Sequence, residues 1–368
     1  MGFFAWWAKC QDLSGIHKVM DGEIVAQLCV YILTWNVGGH YPHDISLNDA
    51  LSLNGTVCPN NSDVPDIYVI GFQEVNTQPQ NQIMNYFQDD QWTFRVKEHL
   101  DDMGFIKVGS ERLQGMLINM WVQPKHISHI KQIETQNTKT GFGGLWGNKG
   151  AVSIRLSLYG TGVAFVASHL AAHDEKLRER VEDYDQIVDN HHYKAPRFRN
   201  IFDHNFVFWF GDLNFRLDSH DSVWDIRNTV EQGRLDELYQ FDQLKLVRET
   251  GNAFSLMEER KPNFPPTFKF IEGTSDYNLK RRPAWCDRIL YRLQAPDCPD
   301  VQLNLQQLSY KSHPEYTLSD HKPVSAEFLI TIKAEYTDDE LYVMTHGCGI
   351  ISLPLVRLIF TSFYLTMF

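Results

Sequence analysis

An apolar run that stops abruptly in polar residues is the feature of this sequence that most constrains its fold. Residues 205–210 (NFVFWF) are nearly all apolar and do not alternate with polar residues, which predicts a β-strand buried on both faces. Gly211, Asp212 and Asn214 follow directly, and burying an unpaired carboxylate there would cost several kcal/mol. We therefore expect charged or hydrogen-bonding groups to meet Asp212 at the end of this strand.

Other segments repeat the pattern of an apolar run that ends in a polar residue. CVYILTWNV contains Asn36 near its end, DIYVIGFQE ends in Glu74, and a predicted hairpin ends in His169. Two packed mixed β-sheets flanked by helices, an α/β (α+β) arrangement, accommodate these segments. The predicted elements are strands at 29–37, 66–74, 151–158, 162–169, 288–293 and 323–332, strand-like segments between 105 and 122, a helix at 175–191 and two helices within 221–249.

Length, composition and charge limit the classes of protein that this chain can represent. Its 368 residues, with 43% hydrophobic residues and no linker or repeat, predict one main domain. The net charge of −12 argues against broad nucleic-acid binding, which needs a basic face. A polyanionic substrate stays compatible with this charge if basic residues are concentrated where that substrate binds.

The cysteines and the N-terminus bear on the compartment. The six cysteines are scattered without CxxC spacing, so neither a structural zinc site nor a disulfide framework is expected. The N-terminus MGFFAWWAKC lacks a basic region and is too short for a signal peptide, and it does not match a myristoylation signal. We therefore predict a cytoplasmic protein.

The polar residues at the predicted strand ends form a chemically coherent set. Carboxylate and amide oxygens without cysteine suit Mg²⁺ rather than zinc. Two histidines together with an Asp/Asn pair suit hydrolysis of a phosphate ester, where water must be oriented and charge neutralised. The set comprises Asn36, Glu74, His169, Asp212, Asn214, Asp287, Asp320 and His321.

Seven motifs occur in the order seen in inositol polyphosphate 5-phosphatases, and the chain resembles that family from about residue 30 to residue 332. The motifs are WNVGG, GFQEVN, GNKGAVSIR, SHLAAH, FWFGDLNFRL, PAWCDRIL and SDHKPVS. The resemblance implies the four-layered α/β sandwich of the endonuclease/exonuclease/phosphatase superfamily. PNFPPTFKF is most similar to the skeletal-muscle-and-kidney-enriched and proline-rich subgroup. We accordingly predict an N-terminal extension at 1–22, a catalytic domain at 23–335 and an apolar tail at 336–368.

The resemblance also implies roles for the residues that match the family motifs. Glu74 would bind Mg²⁺, with Asn36 beside it. Asp212 would polarise the attacking water, while Asn214 and His169 would contact the phosphoryl group. No covalent phosphoenzyme is implied, because no cysteine or serine nucleophile with its base stands in the motifs.

A second histidine would act on the same phosphoryl group. By the same resemblance, His321 would stabilise the charge that develops there. Asp287 would orient His321, and Asp320 lies next to it in the sequence.

Binding an inositol ring with several phosphates requires Lys or Arg side chains held in fixed positions. Lys149 follows Asn148 and is flanked by glycines, which would let a phosphate approach the backbone closely. Lys269 and the basic pair Lys280 and Arg281 complete the predicted substrate-binding set. A basic run is more often a solvated surface, and its place just before PAWCDR favours a functional role instead.

Two departures from the family pattern leave open which residue binds the 4-phosphate of the substrate. Phe268 stands where many relatives have tyrosine, so one hydroxyl that could touch a phosphate is missing. The loop before PAWCDR is also shorter than in relatives, so the basic residue that takes the 4-phosphate is not identified.

Two apolar segments bear on membrane contact. Phe142, Leu145 and Trp146 match a family segment that contacts lipid chains, and the alternative is that they pack internally. The tail at 349–368 is nearly long enough to span a bilayer. Arg357 and Pro354 within it disfavour a tail anchor.

These observations together predict a Mg²⁺-dependent phosphatase that removes the 5-phosphate from phosphoinositides such as PtdIns(4,5)P2 and PtdIns(3,4,5)P3. Soluble inositol polyphosphates are further candidate substrates, and peripheral association with the cytosolic membrane surface is expected. One rival is a nuclease of the same superfamily, which PAWCDRIL, GNKG and the acidic charge disfavour. The other is a catalytically silent lipid-binding scaffold, which should have lost Asp212, Glu74 or His321, and all three are present.

Overall fold

Two β-sheets form the centre of the molecule. The structure is a computed structural model that describes residues 16–20, 23–43, 45–53, 55–59, 63–76, 90–141, 146–294 and 301–335. Its strands are β1 (Ile16–Met20), β2 (Glu23–Asn36), β3 (Ile67–Gln73), β4 (Ile106–Leu113), β5 (Met116–Val122), β6 (Ile130–Thr140), β7 (Trp146–Leu158), β8 (Thr161–His169), β9 (Phe206–Asp212), β10 (Asp287–Leu293), β11 (Val301–Ser312) and β12 (Val324–Glu335). Its α-helices are α1 (Gln91–Asp101), α2 (Leu177–Asn190), α3 (Val223–Glu231), α4 (Leu235–Tyr239) and α5 (Gln243–Glu249), with short 3₁₀ turns at Pro124–His129 and Ile201–Asp203.

The strand orders confirm the predicted pair of mixed sheets. The seven-stranded sheet has the order β11-β12-β2-β3-β5-β4, with β1 paired to β2. The five-stranded sheet has the order β10-β9-β8-β7-β6. The neighbours β2 and β3 are parallel, as are β8 and β9, whereas the remaining pairs are antiparallel.

Alternating side chains divide the apolar residues into three layers. Val30 and Ile32 of β2 point into the core between the sheets, where they meet Phe208 of β9. Tyr31 points to the opposite face of the first sheet, and Trp209 points to the outer face of the second. Every residue of β9 is buried, as its unbroken apolar sequence predicts. Helices cover the outer faces, which gives the four layers.

Some elements differ from the predictions. Residues 221–249 form three helices rather than two, because Gly233 adopts φ 70 after the first and Asp242 caps the third by accepting from Lys245 N. The helix α1 and the strands β6 and β11 were not predicted. β6 lies at the edge of its sheet and alternates exposed polar residues, so it lacks the apolar run that marks the central strands.

One disulfide, Cys29–Cys58, was not expected from the scattered cysteines. It joins the centre of β2 to the loop before β3, with the two Cα atoms 5.9 Å apart. The same loop is held by buried Glu327, whose Oε2 accepts a hydrogen bond of 3.0 Å from Val57 N. Cys286 is buried and outside this crosslink.

The two ends of the chain are only partly described. Ile16–Met20, within the predicted extension, forms β1 and pairs with β2. Residues 1–15 and the predicted tail at 336–368 lie outside the described residues. Among the residues that are described, no helix is long and apolar enough to cross a bilayer.

Candidate active site

The polar residues predicted at strand ends converge at one edge of the two sheets. Asn36 ends β2 and Glu74 follows β3, and these strands are parallel neighbours in the first sheet. His169 ends β8 and Asp212 ends β9, where the two residues are paired in register. Asp287 begins β10 opposite Asp212. Because parallel strands end at the same edge of a sheet, the apolar runs place these side chains around one cleft.

Asp212 is the buried centre of this cluster. Its side chain is only 1% exposed, yet its oxygens are fully engaged. Asn36 Nδ2 donates to Oδ2 at 2.9 Å, and His169 Nε2 lies 3.2 Å from the same oxygen. The backbone N–H of Asn214 donates to Oδ1 at 3.1 Å. The structure therefore supplies the partners that a carboxylate at this position requires.

The surrounding charges keep this carboxylate ionised. Burial by itself would raise the pKa of Asp212. Interactions with His321, with His169 and with Lys149 outweigh burial and hold that pKa well below its usual range. The aspartate is therefore a persistent negative charge that can accept a hydrogen bond from water.

His321 and Asp287 form a buried pair on the other side of the cluster. His321 Nδ1 lies 2.9 Å from Asp287 Oδ2, which also accepts from Thr267 Oγ1 at 2.7 Å. Burial by itself lowers the pKa of the imidazole, but the charges of Asp287, Asp212 and Asp320 outweigh burial and raise it to about 9. At neutral pH the imidazole is therefore protonated.

Arg216 is a site residue that the sequence analysis missed. Its Nη2 donates to Asn214 Oδ1 at 2.5 Å and its Nε donates to Asn214 O at 3.0 Å. Asn214 has φ 57, and its Nδ2 donates to Leu170 O at 3.1 Å. The buried guanidinium lies 4.4 Å from the ring centre of Phe268, whose ring is tilted by 40° against the His321 ring at 4.5 Å. A basic residue inside the buried GDLNFR motif was the signal that could have identified it.

Glu74 opens onto a cleft of about 390 Å³ that Asn148, Lys149 and His169 also line. Lys149 Nζ contacts His169 Nε2, and burial lowers the pKa of this lysine. The glycine after Lys149 is also needed for strand packing, and its expected role in phosphate approach stays a prediction. A Cβ on Gly150 would overlap the carbonyl oxygen of Thr138 on the adjacent strand, so strand packing requires this glycine.

The remaining predicted cations occupy two different settings. Lys269 Nζ forms an ion pair with Asp320 Oδ2. Lys280 and Arg281 are exposed and line a neighbouring cleft of about 520 Å³. The third residue of the basic run, Arg282, lies 3.3 Å from an Asp174 carboxylate oxygen.

The predicted membrane-contact residues lie at the border of the described part of the chain. Phe142 and Leu145 lie outside the described residues. Trp146 is the first residue of β7, and its side chain is not described.

The donor atoms fit a hard divalent cation. The Glu74 side chain is 50% exposed towards the cleft, and its Oε1 accepts from Asn36 Nδ2 at 3.1 Å. Asn36 Oδ1 accepts from Gly38 N at 3.0 Å, so Asn36 fixes Glu74 through its nitrogen. Asp212, Asp287 and His321 also lie close enough to share an ion. Oxygen donors of this kind match Mg²⁺ or Ca²⁺.

Comparison with known proteins agrees with this geometry. Residues 33–327 match the family described as endonuclease/exonuclease/phosphatase family 2. A solved inositol polyphosphate 5-phosphatase domain of SPsynaptojanin, in complex with inositol (1,4)-bisphosphate and calcium ion, is 31% identical, with a TM-score of 0.73 over 88% of this chain and 90% of that chain. The chain belongs to the inositol polyphosphate 5-phosphatase family.

Curated 5-phosphatases show the same relationship at the level of sequence. Human phosphatidylinositol 4,5-bisphosphate 5-phosphatase A is 36% identical over 339 residues, which are 89% of this chain and 32% of that protein. Mouse inositol polyphosphate 5-phosphatase K is 34% identical over 314 residues, which are 82% of this chain and 65% of that protein. Since the chain spans about a third of the human relative, the relationship concerns the shared domain. The placement in a subgroup stays a prediction.

Proposed function

We propose that this member of the 5-phosphatase family is a Mg²⁺-dependent phosphatase that removes the 5-phosphate from phosphoinositides by direct attack of water. The observation that carries the proposal is the buried cluster in which ionised Asp212 Oδ2 lies 3.8 Å from Nε2 of protonated His321. Hydrolysis of a phosphate ester needs a group that orients water and cations that neutralise the phosphoryl oxygens. Both kinds of group lie within this cluster.

In the proposed mechanism, Asp212 accepts a hydrogen bond from the attacking water and orients it. Its low pKa makes it a weak base, so orientation is its main contribution. Protonated His321, fixed by Asp287, donates towards the phosphoryl oxygens, and His169 and Lys149 add donors on the Glu74 side of the cleft. Asn214 holds a further phosphate oxygen.

The proposed metal site is Glu74, supported by Asn36. When bound there, Mg²⁺ supplies Lewis-acid polarisation of a phosphate oxygen. The protein contributes a carboxylate whose direction is set by the Asn36 amide and by the backbone around it.

The proposed substrate contacts extend outward from this centre. Lys269, Lys280 and Arg281, together with Asn148, are the candidates for binding the other ring phosphates. The exposed pair Lys280 and Arg281 suits a polyanionic ligand on a protein whose net charge is −12. PtdIns(4,5)P2 and PtdIns(3,4,5)P3 are the proposed substrates, with soluble inositol polyphosphates as alternatives.

The proposed location is the cytosolic membrane surface, reached by peripheral association through Phe142, Leu145 and Trp146. In the reducing cytosol Cys29 and Cys58 would be free thiols, whereas in an oxidising compartment their disulfide would persist. The proposed catalytic domain spans 23–335. Fractionation of expressing cells, with thiol alkylation before lysis, tests the location and the oxidation state together.

A phosphate-release assay on a panel of inositol lipids and soluble head groups tests the function. We expect Mg²⁺-dependent release from 5-phosphorylated substrates and none from single-stranded or duplex DNA. Asp212→Asn should retain the fold and lose at least about 10²-fold in kcat. Near wild-type turnover by a folded Asp212→Asn variant would show that Asp212 has no role in the mechanism. Phosphate release without Mg²⁺ would show that the reaction does not depend on the metal.

A further inference from the structure

Glu74 is held in a backbone conformation that is uncommon for a residue with a side chain. Its φ is 55, in the left-handed region that L-residues disfavour. Two backbone hydrogen bonds flank it: Gly39 N donates to Glu74 O at 2.8 Å, and Val75 N donates to Gly115 O at 2.9 Å. The turn after β3 is thus clamped between the loop at 37–39 and the turn that joins β4 to β5.

Gly115 makes the closest approach in this clamp. A Cβ at residue 115 would lie 3.3 Å from both Glu74 Cα and Val75 O. These are backbone atoms, so they cannot rotate aside as a flexible side chain would. The left-handed position of the β4–β5 turn is Gln114, with φ 48, whereas Gly115 does not have a positive φ. The close approach therefore favours glycine at 115, whereas the turn conformation does not require it.

We infer that Gly115 is a positioning residue for Glu74. Its missing side chain lets the β4–β5 turn press against the backbone of residue 74 and fixes the direction of the carboxylate into the cleft. The Glu74 side chain is half exposed and has one short hydrogen bond, from Asn36, so backbone contacts must supply most of its orientation. The inference rests on the proposed function, in which Glu74 holds the metal.

A small displacement at Glu74 should affect Mg²⁺ more than Ca²⁺. Mg²⁺ demands near-octahedral geometry with ligands at about 2.0–2.1 Å, whereas Ca²⁺ accepts variable geometry at about 2.3–2.6 Å. A side chain at 115 would push the backbone of residue 74 by a few tenths of an ångström. The variant should therefore lose Mg²⁺ affinity selectively.

Calorimetric titration with Mg²⁺ and, separately, with Ca²⁺ tests this inference. Gly115→Val should raise the Mg²⁺ Kd by about tenfold or more, the range for residues that orient metal ligands, with a smaller rise for Gly115→Ala. The Ca²⁺ Kd should rise less in both variants, and saturating Mg²⁺ should restore turnover. Gly109→Ala is the matched control, since its Cβ would meet the Ile154 side chain at 3.1 Å on the same strand pair without touching Glu74. Its Mg²⁺ Kd should not change.

The outcomes separate the inference from its premise. If Glu74→Gln binds Mg²⁺ as the wild type does, the proposed metal role of Glu74 is wrong. If Glu74→Gln binds weakly while both Gly115 variants bind normally, the positioning role alone is overturned. Equal loss of melting temperature and turnover at every Mg²⁺ concentration, with unchanged Kd values, would likewise reduce Gly115 to a packing residue. Should the valine variant fail to fold, the alanine variant decides.

Discussion

Replacing Asp287 with asparagine should shift the pH dependence of turnover towards acid while retaining the fold. Asparagine has nearly the same shape, and its amide oxygen can still accept from Thr267 Oγ1 and from His321 Nδ1. It removes the negative charge that contributes most to raising the His321 pKa to about 9. Because burial still lowers the pKa of the imidazole while Asp212 and Asp320 still raise it, we expect these effects to offset and the pKa to return to about its ordinary 6.5.

The size of the effect follows from the protonated fraction of His321. At about pH 8, a pKa of about 9 leaves roughly 90% of the imidazole protonated, whereas a pKa of about 6.5 leaves roughly 3%. If the protonated form is the active one, Asp287→Asn should lose about 30-fold in kcat/KM at about pH 8. At about pH 6 both proteins are mostly protonated, so the loss should be under about twofold.

The assay is kcat/KM on a soluble substrate, measured from about pH 6 to about pH 9.5, because kcat/KM reports the pKa values of the free enzyme. Thr267→Val is the control, since it removes a hydrogen bond to Asp287 and leaves the charge. The alkaline limb of its kcat/KM–pH profile should stay close to that of the wild type. A loss in Asp287→Asn that is the same at every pH would refute the reasoning, because it would show that the charge does not act through His321 protonation.

Three further predictions concern parts of the chain outside this pair. Lys280→Ala combined with Arg281→Ala should lower kcat/KM on 4,5-bisphosphorylated substrates by about tenfold, as expected for a lost charge-assisted hydrogen bond. An equal loss on substrates without the 4-phosphate would indicate general steering instead. Leu145→Ser combined with Trp146→Ser should lower turnover of vesicle lipid by at least about tenfold and spare soluble Ins(1,4,5)P3. A drop in melting temperature together with loss of activity on both the lipid and the soluble substrate would instead mean that Leu145 and Trp146 pack internally. Cys58→Ser should lower the melting temperature by about 5 °C in calorimetry, since the disulfide spans 29 residues, and an unchanged value would show that the crosslink is not formed.

The central strands and the site around Asp212 could be predicted because burial on both faces leaves an unbroken apolar run. That run fixed the position of β9, and the polar residues after it had to find partners. His169 and Asp212 then meet because β8 and β9 are parallel and end in register. Local composition and the rule that parallel strands share an edge were sufficient for these contacts.

Contacts between segments far apart in the chain could not be predicted in this way. The Cys29–Cys58 disulfide and the approach of Gly115 to Glu74 depend on where loops lie after the sheets have packed. Arg216 lies inside the GDLNFR motif, but its bidentate contact with Asn214 follows from a left-handed backbone at residue 214. Composition carries no information about such geometry.

Two side-chain pairs in the cleft join the two sheets. Asn36 of the first sheet donates to Asp212 of the second, and His321, just before β12 of the first sheet, pairs with Asp287 of the second. During refolding, the two sheets can form before they pack against each other. In that state the two members of each pair are separated. Enzyme activity should consequently return only when the sheets close on each other, later than the far-ultraviolet circular dichroism signal. The rate at which phosphate-release activity returns during renaturation thus measures how fast the two sheets pack together.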